Sequence, residues 1–186
     1  MATLETLSDH VYDICENAVR SKSSVCELTI FEDDENFRFI INDHGCGMNQ
    51  EELMHAISPF YTTKEQRKKK LGVGLPFLKF SSELTGGYFK IESEKLIGTK
   101  VDVLFKKSNI DCQPVGNLPE TLFMIIYMDK NTDWKIIRGF REDAYELDSK
   151  DLKEQYGNLF YENSFMIEIK KIITELENQI KQGGLE

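Results

Sequence analysis

The sequence predicts an α+β protein, a two-layer α/β sandwich with a small appended α+β C-terminal unit. Three observations lead there: apolar residues recur at helical intervals, β-branched and aromatic runs alternate with those helices, and the chain changes character near residues 110–119. In the first segment Leu7, Val11, Ile14, Cys15 and Ala18 fall on one helical face between about Leu4 and Arg20. Residues 25–31 and 37–41 flank an acidic turn at 32–36 and read as two antiparallel strands. A Gly-containing loop over 42–48 leads into a short helix over 49–57, with Asn49 as its cap. Residues 58–74 form a long polar stretch carrying Lys64, Arg67, Lys68, Lys69 and Lys70, which is either a functional lid or disordered. A helix over 75–84 comes next, with Pro76 in its first turn, where the missing N–H costs nothing, and Gly86-Gly87 at its end. Strands over 88–92 and 99–105 meet at a turn containing Gly98.

Pro114, Pro119 and the Gly116-Asn117 pair mark the best boundary, which divides the chain into residues 1–108 and 111–186. Beyond it the pattern predicts a helix over 120–127, strands over 135–141 and 143–148, and a final amphipathic helix over 164–182. With 186 residues, 40% of them hydrophobic, the chain has enough apolar side chains to bury a core.

Charge and composition exclude several classes. A net charge of −9 repels phosphate backbones, so binding to nucleic acid by bulk charge is not expected. The longest apolar runs, such as residues 122–128, are too short to cross a bilayer. The opening MATLETLSDH shows no basic segment followed by an apolar one, so no secretory signal is read and a cytoplasmic location is expected. Cys15, Cys26, Cys46 and Cys112 lack the pairing of a zinc site or a disulfide framework.

Four segments carry chemistry. Asp13, Asn17 and Arg20 share the helix face opposite the apolar stripe, setting a carboxylate, an amide and a guanidinium in a row. A carboxamide oxygen suits Mg²⁺, a hard cation that bridges substrate phosphates, and a carboxylate one turn away can accept a proton. The same row also fits a solvated helix face. Next, a strand runs into Asp43-His44-Gly45-Cys46-Gly47-Met48. An Asp after a buried strand can accept a hydrogen bond from an exocyclic amine, and the glycines let backbone approach a flat ring; an ordinary strand-to-helix turn is the plainer alternative. Gly72, Gly74 and Leu75 stand at a helix entry, where free amides suit a phosphate. Gly98-Thr99 opens the last strand of the first segment, and its hydroxyl can hold a water beside a purine or simply serve a turn.

In this order the segments resemble the ATP-binding domain shared by gyrase, the ninety-kilodalton heat-shock chaperone, histidine kinases and MutL, known as the Bergerat or GHKL superfamily. The likeness runs from about Leu4 to Phe105. Asp43–Met48 looks like the D-x-G-x-G box. Pro59-Phe60-Tyr61-Thr62-Thr63-Lys64, Leu71-Gly72-Val73-Gly74-Leu75, Thr85-Gly86-Gly87 and Gly98-Thr99 look like the lid and glycine boxes of sensor histidine kinases. The resemblance implies ATP and Mg²⁺ as ligands. Asn17 would ligate Mg²⁺, Asp43 would bind the adenine amine, and Gly45, Gly47 and Met48 would frame the ring. Gly72, Gly74 and Leu75 would meet the phosphates together with Arg20, and Thr99 would support the adenine side. Lys70 would reach the γ-phosphate under a closed lid or solubilise an open one.

The departures are informative. The family's general base is usually a Glu four residues before the Mg²⁺ Asn; Asp13 stands there, one methylene shorter. His44 replaces a commoner Asn. No segment before Leu4 resembles the dimerising helix and phospho-acceptor His of a sensor kinase. Residues 111–186, around Ile110–Asn117, resemble the segment after the ATPase domain in short stand-alone ATP-binding proteins of anaerobic bacteria. The implied function is Mg²⁺-dependent ATP binding with hydrolysis or phosphorylation of a protein partner, as in anti-sigma kinases, with Asp13 catalytic. The alternative is an ATP-gated regulatory module with little or no turnover. A protein partner or phospho-acceptor is expected in both, and a homodimer is left open.

Overall fold

The structure is a computed structural model, and it describes residues 4–58 and 74–183. Helix α1 (Leu7–Arg20) starts where Thr6 accepts a hydrogen bond from the Asp9 amide and the Asp9 carboxylate takes the Thr6 amide in return, a reciprocal cap that sets the first turn. Strands β1 (Val25–Glu32) and β2 (Asn36–Asp43) form the predicted antiparallel pair. The short helix α2 (Gln50–Ala56) is capped by Asn49, as its sequence position predicts, with Glu52 closing the box. Helix α3 (Gly74–Leu84) leads to the hairpin β3 (Tyr88–Glu94) and β4 (Gly98–Lys106).

The segment beyond residue 110 holds α4 (Leu118–Ile126), β5 (Asp133–Phe140), β6 (Asp143–Asp148), α5 (Ser149–Tyr156), a 3-10 turn (Gly157–Tyr161) and α6 (Asn163–Gln182). Two elements here differ from the sequence reading. Helix α5 was not expected, because Leu152 is the only large aliphatic residue in its polar run; the Asp148 carboxylate, which caps the Lys150 and Asp151 amides, starts it. Helix α4 begins two residues earlier than predicted because Asn117 caps it and Pro119 fits the first turn.

All six strands form one mixed sheet in the order β3-β4-β2-β1-β5-β6. The segment read as an appended unit joins the sheet: β5 lies parallel to β1 along its whole length, from Val25 opposite Asp133 to Glu32 opposite Phe140. One face of the sheet is buried. Cys26, Leu28 and Ile30 of β1 line up with Phe37, Phe39 and Ile41 of β2, Val101, Val103 and Phe105 of β4, and Trp134 and Ile136 of β5. Helix α1 packs on β2, α3 on β3 and β4, and α4 and α6 on β5. Glu27, Lys100 and Lys135 lie exposed on the other face, so helices and sheet make two layers. Trp134 is part of the core.

At one end of the buried face the core is ionic. Arg138, fully buried, donates to the Glu177 carboxylate of α6 (2.8 Å), to Glu32 of β1 (2.6 Å) and to the Gly139 carbonyl. The Tyr145 hydroxyl donates to Glu177 (2.9 Å), and the Lys107 ammonium to Glu32 (2.8 Å). Every charge in this group meets an opposite charge, which is the condition for burying charge at tolerable cost.

Candidate nucleotide site

At the other end of that face β2 terminates in Asp43, only 6% exposed. Its carboxylate oxygen Oδ1 accepts a hydrogen bond from the Ser21 hydroxyl (2.8 Å) and from the Gly45 amide (2.9 Å). Among the described residues both of these donors go to Oδ1 and none to Oδ2, and no cation pairs with the group. A buried carboxylate with a spare acceptor is suited to a neutral N–H donor, such as the amino group of a purine.

The loop after Asp43 is shaped by two glycines. A Cβ at Gly45 would fall 1.8 Å from the Ser21 hydroxyl oxygen, so only glycine lets the loop lie against the end of α1. Gly47 has φ +55°, a left-handed conformation that favours glycine, and its Cβ position lies 1.8 Å from the Glu94 carbonyl of β3. Thr99 stands opposite Asp43 in the β2–β4 register. Its hydroxyl lies 2.8 Å from that of Ser93, which also accepts from the Met48 amide (2.8 Å) and donates to the Gly98 carbonyl (3.1 Å). The loop is thereby fixed on one side by α1 and on the other by the β3–β4 hairpin. His44 and Cys46 are exposed at its rim.

Helix α1 brings its polar row alongside. Ser21, the C-cap of α1, donates its amide to the Asn17 carbonyl (3.0 Å), one turn back. Asn17 is half-buried, and among the described residues its carboxamide has no hydrogen-bond partner. Asp13, another turn back, meets the start of α3: a Cβ built on Gly74 would lie 1.9 Å from an Asp13 carboxylate oxygen. Burial raises the Asp13 pKa above the ordinary carboxylate value, nearby Glu16 pushes it further up, and Arg20 opposes both. Arg20 is half exposed and pairs with Glu16 (3.0 Å). Leu75, half-buried, packs on the core. Lys70 and Gly72, with the rest of residues 59–73 of the long polar stretch, lie outside the described residues.

The structure therefore brings together Asp13, Asn17 and Gly74 on one side and Asp43, Gly45, Gly47, Met48 and Thr99 on the other. Sequence reasoning missed Ser21 and Ser93. Ser21 had a signal, since it extends the Asp13–Asn17 spacing by one more helical turn; a serine in a short strand, as at position 93, has none. Among the described residues no cluster of three His, Cys, Asp or Glu side chains is placed to hold a metal. The donor set suits instead a hard cation held by one protein amide and by the phosphates of its ligand.

Residues 4–109 match the family described as "Histidine kinase-, DNA gyrase B-, and HSP90-like ATPase". The chain belongs to this family. It therefore carries the ATP-binding domain of the GHKL superfamily, in agreement with the resemblance of its motifs. Sporulation kinase D of Bacillus subtilis (strain 168) is 33% identical over 103 residues, which are 54% of this chain and 20% of that protein. The chain thus spans about a fifth of the curated relative it matches. Among solved structures, the Aquifex aeolicus MutL ATPase domain complexed with ADP superposes with a TM-score of 0.51 at 16% identity, over 85% of this chain and 70% of that one. The N-terminal domain of a DNA repair protein gives 0.50 at 13% identity, over 77% and 52%. These likenesses show the α+β fold of the family's ATP-binding domain. Among the described residues no helix is long and apolar enough to cross a membrane.

Proposed function

We infer that the chain binds ATP with Mg²⁺ between α1 and the Asp43 loop and either hydrolyses it or passes its phosphoryl group to a partner protein. The observation that carries this reading is Asp43, a buried carboxylate whose described hydrogen bonds all go to one oxygen. In the proposed complex its Oδ2 accepts from the adenine amine, while Gly45 and Gly47 hold backbone close to the ring and Thr99 supports the adenine edge. Asn17 offers its carboxamide oxygen to the metal. When bound, Mg²⁺ would neutralise phosphate charge and hold the phosphates in line for transfer. The α3 terminus at Gly74, with Leu75 and Arg20, would meet the phosphates, and the family resemblance assigns Gly72 and Lys70 to the same end. Asp13 accepts the proton of an attacking water or hydroxyl, and its raised pKa makes it the better base. A cytoplasmic location, and a protein partner or second copy as acceptor, belong to the same reading.

A second reading, an ATP-gated binding module with little turnover, draws support from the packing of Asp13. Its short side chain lies against Gly74 at a helix terminus, a placement that also suits a purely positioning role.

Thermal unfolding with ATP, ADP, AMP-PNP and GTP, each with and without Mg²⁺, tests the binding. Saturation at a hundredfold excess over Kd should add about 2.7 kcal/mol for ATP with Mg²⁺ and much less without the metal. No nucleotide-dependent shift would overturn the reading. Asp13→Asn separates the two alternatives: in an enzyme it lowers turnover by about a hundredfold or more while ATP affinity holds. Absence of turnover in the wild type, with partner proteins supplied, favours the gated module.

A further inference from the structure

We propose that Ser21 is a positioning residue that joins the metal side of the pocket to its purine side and sets the preference for a 6-aminopurine. This rests on the nucleotide reading above and adds to it a residue that acts through Asp43.

Three elements converge on Ser21. Its amide donates to the Asn17 carbonyl (3.0 Å), so it closes the turn of α1 that carries the carboxamide. Its carbonyl accepts the Cys46 amide (2.9 Å), pinning the loop after Asp43. Its hydroxyl lies 2.7 Å from the Ala18 carbonyl and 2.8 Å from Asp43 Oδ1. Both of these neighbours are acceptors, and the hydroxyl has a single proton to share between them. The Gly45 amide reaches the same Oδ1 (2.9 Å), and no side chain larger than hydrogen fits at Gly45 beside the Ser21 hydroxyl.

The consequence is directional. The Gly45 amide and the shared Ser21 proton both draw on Oδ1, which restrains the carboxylate plane and presents Oδ2 to a ligand. Removing the hydroxyl leaves Oδ1, among the described residues, with the Gly45 amide alone. The carboxylate then rotates more freely, and an incoming amine must order it on binding. The hydroxyl does not touch the ligand in this arrangement. Its effect passes through the Asp43 orientation, and so concerns the amino group and not the ring, ribose or phosphates.

Binding of ATP and of purine riboside triphosphate, which lacks the 6-amino group, to the full chain separates this role from a structural one. Calorimetry with Mg²⁺ present measures both for wild type, Ser21→Ala and Ser21→Cys. Ser21→Ala should weaken ATP about tenfold, the usual effect of losing a hydrogen bond to a charged group, and leave the amine-free analogue unchanged. Ser21→Cys keeps the size with a weaker donor and should fall between, giving a second measure should the alanine variant not fold. Equal losses for both nucleotides, or undiminished discrimination in the folded variants, would overturn the role of Ser21 while leaving the nucleotide site intact. A wild type that binds both nucleotides equally would overturn the Asp43 reading itself, and with it this proposal.

Discussion

Glu32 and Asp43 occupy opposite ends of the same buried sheet face, and their surroundings differ in kind. Glu32 is held by two cations, Arg138 and Lys107, and Arg138 in turn holds Glu177. Among the described residues Asp43 receives a hydroxyl and a backbone amide, both on one oxygen, and no cation. Where each buried charge is answered by an opposite one, the group is closed and serves cohesion. Where a buried acid is met by neutral donors and keeps an unused acceptor, the fold has left capacity for a ligand. Burial of a carboxylate alone would not distinguish the two ends; the partners do.

The largest effect is expected from breaking the closed end. Arg138→Met leaves Glu177 and Glu32 buried with too few cations and should destabilise the fold by about 3–5 kcal/mol in urea unfolding. If the two ends are independent, the fraction still folded binds ATP with wild-type affinity; altered affinity would show that they are coupled.

Asp43→Asn tests the open end in the opposite sense. Stability should change by less than about 1 kcal/mol, because its partners are neutral, while ATP affinity falls about a hundredfold, since the amide presents a donor where the purine needs an acceptor. A large stability loss with little change in affinity would place Asp43 in the same class as Glu32.

The smallest effect concerns His10, buried on α1 and stacked on Phe77 (5.5 Å between ring centroids). Gln113 donates to the Leu4 carbonyl (2.6 Å), which turns its oxygen toward His10 Nε2 (2.8 Å) and makes that nitrogen the donor. Desolvation lowers the folded-state pKa below the ordinary 6.5, against opposing contributions from Gln113 and Asp9. A lowered pKa means that the unfolded chain takes up the proton first. This contribution to stability is therefore complete above pH 6.5 and is lost as pH falls through the folded-state value. His10→Gln should flatten the pH dependence of the melting temperature in that window; an unchanged slope would assign it to other groups.

The sequence was most legible where chemistry is local. The apolar spacing of α1, the Asn49 cap and the strand pairs around the 32–36 turn all depend on neighbours within a few residues. The Asp43 loop and the Asp13–Asn17 row were legible for the same reason. Two things were not. The pairing of β5 with β1 joins segments about a hundred residues apart, and nothing in either strand names the other. Ser21 gains its meaning from Asp43, which lies on a different element. Helix α5 was not legible either: Leu152 is the one large aliphatic side chain in its polar run, too sparse an apolar face to mark a helix.

The β1–β5 ladder also bears on how the chain is made. As it emerges from a ribosome, β1 is synthesised long before the strand that covers its flank. Until β5 arrives, the growing polypeptide carries an open row of amides and carbonyls beside its first hairpin, a template for sticking to other nascent chains. Closure of the sheet beside β1 thereby waits for synthesis of β5, about a hundred residues later, and this long-range pairing makes the topology a slow one to reach.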